Sequence, residues 1–141
     1  MNKHAAPLLV STIERAAHAV ALWIERSFAD LHLTQAEAHI LAFLAEHAPC
    51  SINELHHSFG HKRSTLTSLL DRLESRGWVR REPHPTSRRL VLVQLTDTGG
   101  PIAERVSVAV RDLERRILAR AGAESVAEVQ RVITILEEEL Q

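Results

Sequence analysis

Apolar residues recur at three- and four-residue steps along most of this chain, the pattern of helices that bury one face. From position 8 to 31, Leu8, Leu9, Ile13, Ala16, Ala17, Val20, Trp23, Ile24, Phe28 and Leu31 form one stripe, which predicts a single long amphipathic helix. Thr34 then stands three residues before Glu37, a capping box in which each residue serves the other's backbone N–H. Ile40, Leu41, Phe43 and Leu44 supply the buried face of this second helix, which stops by Pro49. Ser51 and Glu54 repeat the box and open a short third helix that ends near Phe59-Gly60. A fourth helix runs from about Lys62 to Arg76, with Leu66, Leu69, Leu70 and Leu73 inward and Gly77 as its stop.

The period then changes. Trp78 to Arg81 is a short strand candidate, His84 to Arg89 a turn-prone tip, and Leu90 to Leu95 a strongly β-prone run. Thr96 closes this hairpin, and Thr96 or Thr98 caps a fifth helix that tolerates Pro101 only because it lies near the start. Ile102, Val106, Val110, Leu113 and Ile117 carry that helix's stripe. Gly122 breaks it, and Ser125 with Glu128 would cap a last helix with Val129, Val132, Ile133, Leu136 and Leu140 inward. Two helices joined by a glycine-containing turn and followed at once by a hairpin make a winged helix-turn-helix. The expected fold is therefore mainly α, one unit over 1–141. A winged helix-turn-helix lobe spans 34–97, and long terminal helices lie at 5–32 and 98–141.

Charge gives that lobe a candidate role. The whole chain carries a formal net charge of −1. Yet Lys62, Arg63, Arg72, Arg76, Arg80, Arg81, Arg88 and Arg89 all fall between His61 and Leu90, against Asp71, Glu74 and Glu82 alone. That segment is thus net +5 in an otherwise acidic chain, the footprint of a surface that meets phosphates. A winged helix that mediates only protein assembly would not need this concentration of charge. With the leucines inward, the outer face of the fourth helix presents Ser64, Thr67, Ser68 and Asp71, flanked by Arg63, Thr65 and Arg72, with Lys62 at its start. Hydroxyls and guanidinium groups suit base edges and phosphates, so double-stranded DNA is the expected partner.

The element order and three local motifs resemble the MarR family of bacterial regulators over nearly the whole chain. Leu33-Thr34-Gln35 through Leu41 is similar to the family's opening of the second helix. Leu70-Asp71-Arg72-Leu73-Glu74-Ser75-Arg76-Gly77-Trp78-Val79 resembles its Asp-Arg-Leu-Glu segment with the following glycine. Arg88-Arg89 through Leu95-Thr96-Asp97-Thr98-Gly99 resembles its wing arginines followed by Leu-Thr-x-x-Gly. The resemblance implies that Arg88 and Arg89 enter an adjacent minor groove or contact its phosphates. It also implies a homodimer built through Leu8, Leu9, Ile13, Val129, Ile133, Leu136 and Leu140. Such a regulator acts on a pseudo-palindromic operator, as an effector-responsive repressor that needs no cofactor. Its small-molecule effector, phenolic or drug-like, is left open. Ser87 and His84 depart from the family, which has acids at these wing positions, and this implies a wing whose arginines are less tightly oriented.

Other candidate chemistry weighs less. His56, His57 and His61 with Glu54 invite a metal, but Gly60 breaks the helix between them, and surface or capping roles are the expectation. Cys50 is the only cysteine, which excludes an internal disulfide and favours a reducing, cytoplasmic setting. It is read as structural, and Trp23 as core. No glycine-rich phosphate loop, nucleophile elbow or His-Glu-x-x-His run is present, which argues against an enzyme. Neither a secretory leader pattern nor an apolar run of about 18 residues occurs, so no membrane partner is expected.

Overall fold

The computed structural model describes residues 8–141, so positions 5–7 of the expected first helical segment lie outside it. The order is α1 (Leu9–Ser27), a 3-10 turn (Ala29–Leu31), α2 (Gln35–His47), β1 (Cys50–Ser51), α3 (Ile52–Phe59), α4 (Arg63–Ser75), β2 (Val79–Pro83), β3 (Val91–Leu95), α5 (Gly99–Ala121) and α6 (Ala123–Glu139). The mainly helical winged architecture expected from the sequence is present.

Three local details differ from expectation. The first helix ends at Ser27, and the 3-10 turn carries the stripe on to Leu31. A 3-10 turn also repeats every three residues, so periodicity alone could not separate the two. The hairpin gains a third strand, because Cys50 pairs with Val93 and Ser51 with Leu92. Two residues are too few to show an alternating pattern. Finally, Ser125 does not cap α6: the helix begins at Ala123, directly after Gly122 at φ 84°, and has no side-chain cap. The two earlier capping boxes form as expected, Thr34 with Glu37 and Ser51 with Glu54.

The core lies where α2 crosses the other elements. Ile40, Leu41 and Leu44 of α2 meet Leu66, Leu69, Leu70 and Leu73 of α4, Leu55 of α3, Ile24 and Phe28 from the first segment, and Ala103 and Val106 of α5. Val79 and Val93 close it from the sheet. Each buried leucine contributes roughly 2 kcal/mol relative to exposure. The four on α4 are thus the main force seating that helix.

Two polar devices then fix its orientation. Glu37 is 3% exposed, and its carboxylate accepts the Thr34 N–H at 3.1 Å and the Arg72 Nε–H at 2.9 Å. Arg76 stands 4.0 Å from the same group, 3.8 Å over the Trp78 ring, and bonds to the Leu31 carbonyl. One buried charge thereby ties the start of α2 to the end of α4. The second device joins the wing to α5. The Thr96 hydroxyl donates to the Gly77 carbonyl at 2.5 Å and accepts the Gly99 N–H at 2.9 Å, while the Thr96 N–H donates to the Trp78 carbonyl. A Cβ on Gly99 would lie 1.8 Å from the Trp78 carbonyl oxygen. The Leu-Thr-x-x-Gly motif is this junction.

Two outcomes follow for stability. Gly99→Ala pushes a methyl into backbone that has no side chain to swing aside, and should cost about 3 kcal/mol in urea unfolding. A cost below about 1 kcal/mol would show that the junction yields. Glu37→Ala removes the partner of two arginines and one cap. Because Arg72 is more than half exposed, the cost should be about 2 kcal/mol, below that of a fully buried pair.

Candidate nucleic-acid interface

The basic segment divides into two sets that the sequence does not distinguish. Arg72 and Arg76 bind Glu37, Arg80 pairs with Glu82 at 3.5 Å, and Arg81 binds both Glu74 (at 2.7 Å) and Asp71. These four are structural, and they consume every acid of the segment. Among the described residues, Lys62, Arg63, Arg88 and Arg89 enter no ion pair, and all four are exposed. Within this segment the unpaired positive charge is therefore confined to the start of α4 and the wing tip.

The N-terminus of α4 is built unlike those of α2 and α3. Lys62 occupies its N-cap with no side-chain hydrogen bond, and the first turn holds no acid. The first N–H groups thus lack a capping acceptor, and two cations sit at the positive end of the helix dipole. This arrangement costs on the order of 0.3–1 kcal/mol per charge, far less than the leucine stripe supplies. An incoming phosphate would reverse that penalty and satisfy the N–H groups together.

Farther along the same face, Ser64, Thr65, Thr67 and Ser68 are all exposed. The Thr67 hydroxyl donates to the Arg63 carbonyl at 2.9 Å, and the Ser68 hydroxyl to the Ser64 carbonyl at 3.0 Å. With their protons turned inward, these oxygens present acceptor lone pairs outward, suited to the amino groups of adenine or cytosine. Arg72 is on this face, but its Nε is committed to Glu37, which leaves only its terminal nitrogens for an outside partner.

The wing tip is held by an interaction that the departure at His84 had hidden. His84 Nδ1 accepts the Thr86 N–H at 3.2 Å, as an acidic side chain does in such a turn, and the Leu90 N–H donates to the Ser87 carbonyl. Ser87 makes no side-chain bond that orients Arg88 or Arg89, and both arginines project from a tip that is itself closed.

Elsewhere, the apolar ends stay uncovered. Leu8, Leu9, Val129 and Leu140 are 79%, 54%, 61% and 77% exposed, and Ile13, Ile133 and Leu136 are half-buried. No residue of α6 is buried. Trp23 packs against the core at intermediate exposure. Burial, with Glu54 nearby, pushes the Cys50 thiol up to about 11, so at neutral pH it is protonated and a poor nucleophile. Among the described residues, no group of three or more His, Cys, Asp or Glu side chains is placed to hold a metal ion. Nor is any helix of these residues long and apolar enough to cross a membrane.

A cleft of about 310 Å³ runs between α2 and α5, lined by His39, Phe43, His47, Phe59 and Arg111 among others. Burial, reinforced by the neighbouring His61, holds the His39 imidazole below its ordinary range. The unfolded chain thus takes up the proton first, so this group's stability is present above about pH 6.5 and lost as pH falls below it. Unfolding free energy measured from pH 7.5 to 5.5 should decline, and His39→Gln should flatten that decline. An unchanged slope in the variant would remove His39 as a cause.

Comparison with known proteins places these features in a family. A family profile described as MarR family matches residues 33–91. The regulator PecS of Dickeya dadantii is 33% identical over 136 residues, covering 94% of this chain and 82% of PecS. A variant of MarR from E. coli complexed with operator DNA is 29% identical, with a TM-score of 0.73 over 91% of this chain and 92% of that one. The S. aureus MepR–DNA complex shares the fold at a TM-score of 0.81 and 17% identity, covering 96% of this chain and 100% of that one. With its winged lobe, its unpaired cations and these relatives, this chain belongs to the MarR family and is a DNA-binding transcriptional regulator.

Proposed function

We propose that the protein acts as a homodimer that docks α4 and the wing of each subunit on the two halves of a pseudo-palindromic operator and represses transcription by occupying it. The observation that carries this reading is the segregation of Lys62, Arg63, Arg88 and Arg89 as unpaired, exposed cations on α4 and the wing. On this reading Ser64, Thr65, Thr67 and Ser68 face base edges in the major groove, Arg72 adds its terminal nitrogens, and Arg88 and Arg89 follow the adjacent backbone and minor groove. The terminal segments 8–32 and 98–141 form the dimer. Apolar side chains as exposed as Leu8, Leu9, Val129 and Leu140 are unfavourable in water, and a second copy would cover them two-fold symmetrically.

The α2–α5 cleft is the favoured effector site, because it borders both the DNA-binding lobe and the helix leading to the dimer ends. A phenolic or drug-like molecule wedged there would alter the angle between them. It would release DNA only in so far as it binds the two arrangements unequally.

Salt dependence tests the core of this reading. Four unpaired cations per subunit give a dimer a slope of log K against log salt of about −7 where each meets its own phosphate, and about −5 where two of them share one. Arg88→Ala should reduce the slope by about 2 per dimer, and sedimentation should give twice the 15.8 kDa chain mass. Shallow salt dependence, or a monomer bound to DNA, would overturn it.

A further inference from the structure

We infer that the start of α3, the start of α4 and the tip end of the wing together form a single seat for one backbone phosphate, held jointly by Arg63 and Arg89. The inference rests on the DNA-binding reading above and assigns Arg63 a different task from base recognition. It starts from the short strand β1. Because Ser51 pairs with Leu92, the first turn of α3 is laid beside the wing. Between them opens a notch of about 170 Å³, lined by Ser51, Asn53, Arg63, Arg89, Leu90 and Val91. Its volume is several waters' worth, enough for a phosphodiester group.

The chemistry of the lining is one-sided. Two arginines from different elements, Arg63 and Arg89, line the same notch, and none of its lining residues is acidic. Neither arginine has an ion-pair partner among the described residues, although four neighbours in the basic segment do. Glu54 is the nearest acid in sequence, and its carboxylate is engaged at 2.6 Å by the Ser51 N–H, outside the notch lining. The Ser51 hydroxyl accepts the Glu54 N–H and still has its own proton to donate, and Asn53 adds an amide. Leu90 and Val91 line the rest of the notch with apolar side chains that offer the cations no competing partner. Guanidinium geometry matches two oxygens of one phosphate, so two such groups around one site give a clamp that fixes the wing relative to α4.

Arg63 and Arg89 sharing one phosphate should be energetically coupled, whereas separate contacts in two grooves should not be. The test uses full-length protein and duplexes selected by the wild type from a random pool. Arg63→Ala and Arg89→Ala should each weaken binding about tenfold across the selected sequences alike. The double variant should lose about 10- to 30-fold, well short of the hundredfold product. A full product, or a change of base preference in Arg63→Ala, would overturn the shared seat while leaving DNA binding intact. Inorganic phosphate titrated into 15N-labelled protein at constant ionic strength gives a second reading. Saturating shifts at Asn53, Arg63 and Arg89 support the seat. Their absence, even with intact duplex binding, overturns a preformed site. If the wild type selected no duplex, the DNA-binding reading would fall, and shifts with phosphate alone would mark the notch as a site for a free anion.

Discussion

The buried carboxylate of Glu37 is the constraint on which the DNA-facing geometry depends. A leucine stripe can hold α4 against the core, but apolar packing is tolerant of small rotations and slides. A charge that is 3% exposed is not tolerant, because any movement that separates it from Arg72 or Arg76 leaves it unpaired in a poor dielectric. Glu37 also serves as the second half of the α2 capping box, so the same group defines where α2 begins and where α4 lies. Arg76 extends the connection to Trp78 and to the carbonyls that end the first helical segment. Thr96 and Gly99 continue it from Gly77 and Trp78 into α5. A continuous set of polar contacts thus leads from the recognition helix to α5, the long helix that runs into α6 and its exposed apolar residues.

This arrangement explains why the basic segment cannot be read as a simple sum. Half of its cations hold the lobe together, and half remain unpaired. Those left over sit at the positive end of α4 and on the wing, where they repel one another and the helix dipole. Such a surface is tolerated because its cost is small beside the buried leucines, and it is stabilised when phosphate oxygens approach. Affinity for DNA and internal order therefore draw on largely separate cations of one short segment, with Arg72 serving both.

Much of this was legible in the sequence where the signal was local. The capping boxes at Thr34 and Ser51, the glycine stops at Gly60 and Gly77 and the hairpin from Val79 to Leu95 each depend on residues a few positions apart, and each formed as read. The failures were also local. Ser125 had the right neighbours for a cap but lay behind Gly122, which starts the helix earlier, and the end of α1 was concealed because two helix types share a three-residue step. At His84, an imidazole nitrogen accepts the Thr86 N–H, as an Asp or Asn side chain does in such turns, so the tip is closed without an acid there.

The sequence by itself determined the helices, their buried faces, the wing and the concentration of charge, since hydrophobic period, caps and turns are set by neighbours along the chain. It also carried the family resemblance that the whole-chain comparison bears out. Only the tertiary structure decided which arginines are occupied, because Arg72 meets Glu37 across 35 positions of chain, and no spacing rule reports such a pairing. It also decided that two residues, Cys50 and Ser51, would join the wing and bring α3 beside it. Pairing of charges and strands depends on distance in space, and that is what folding creates.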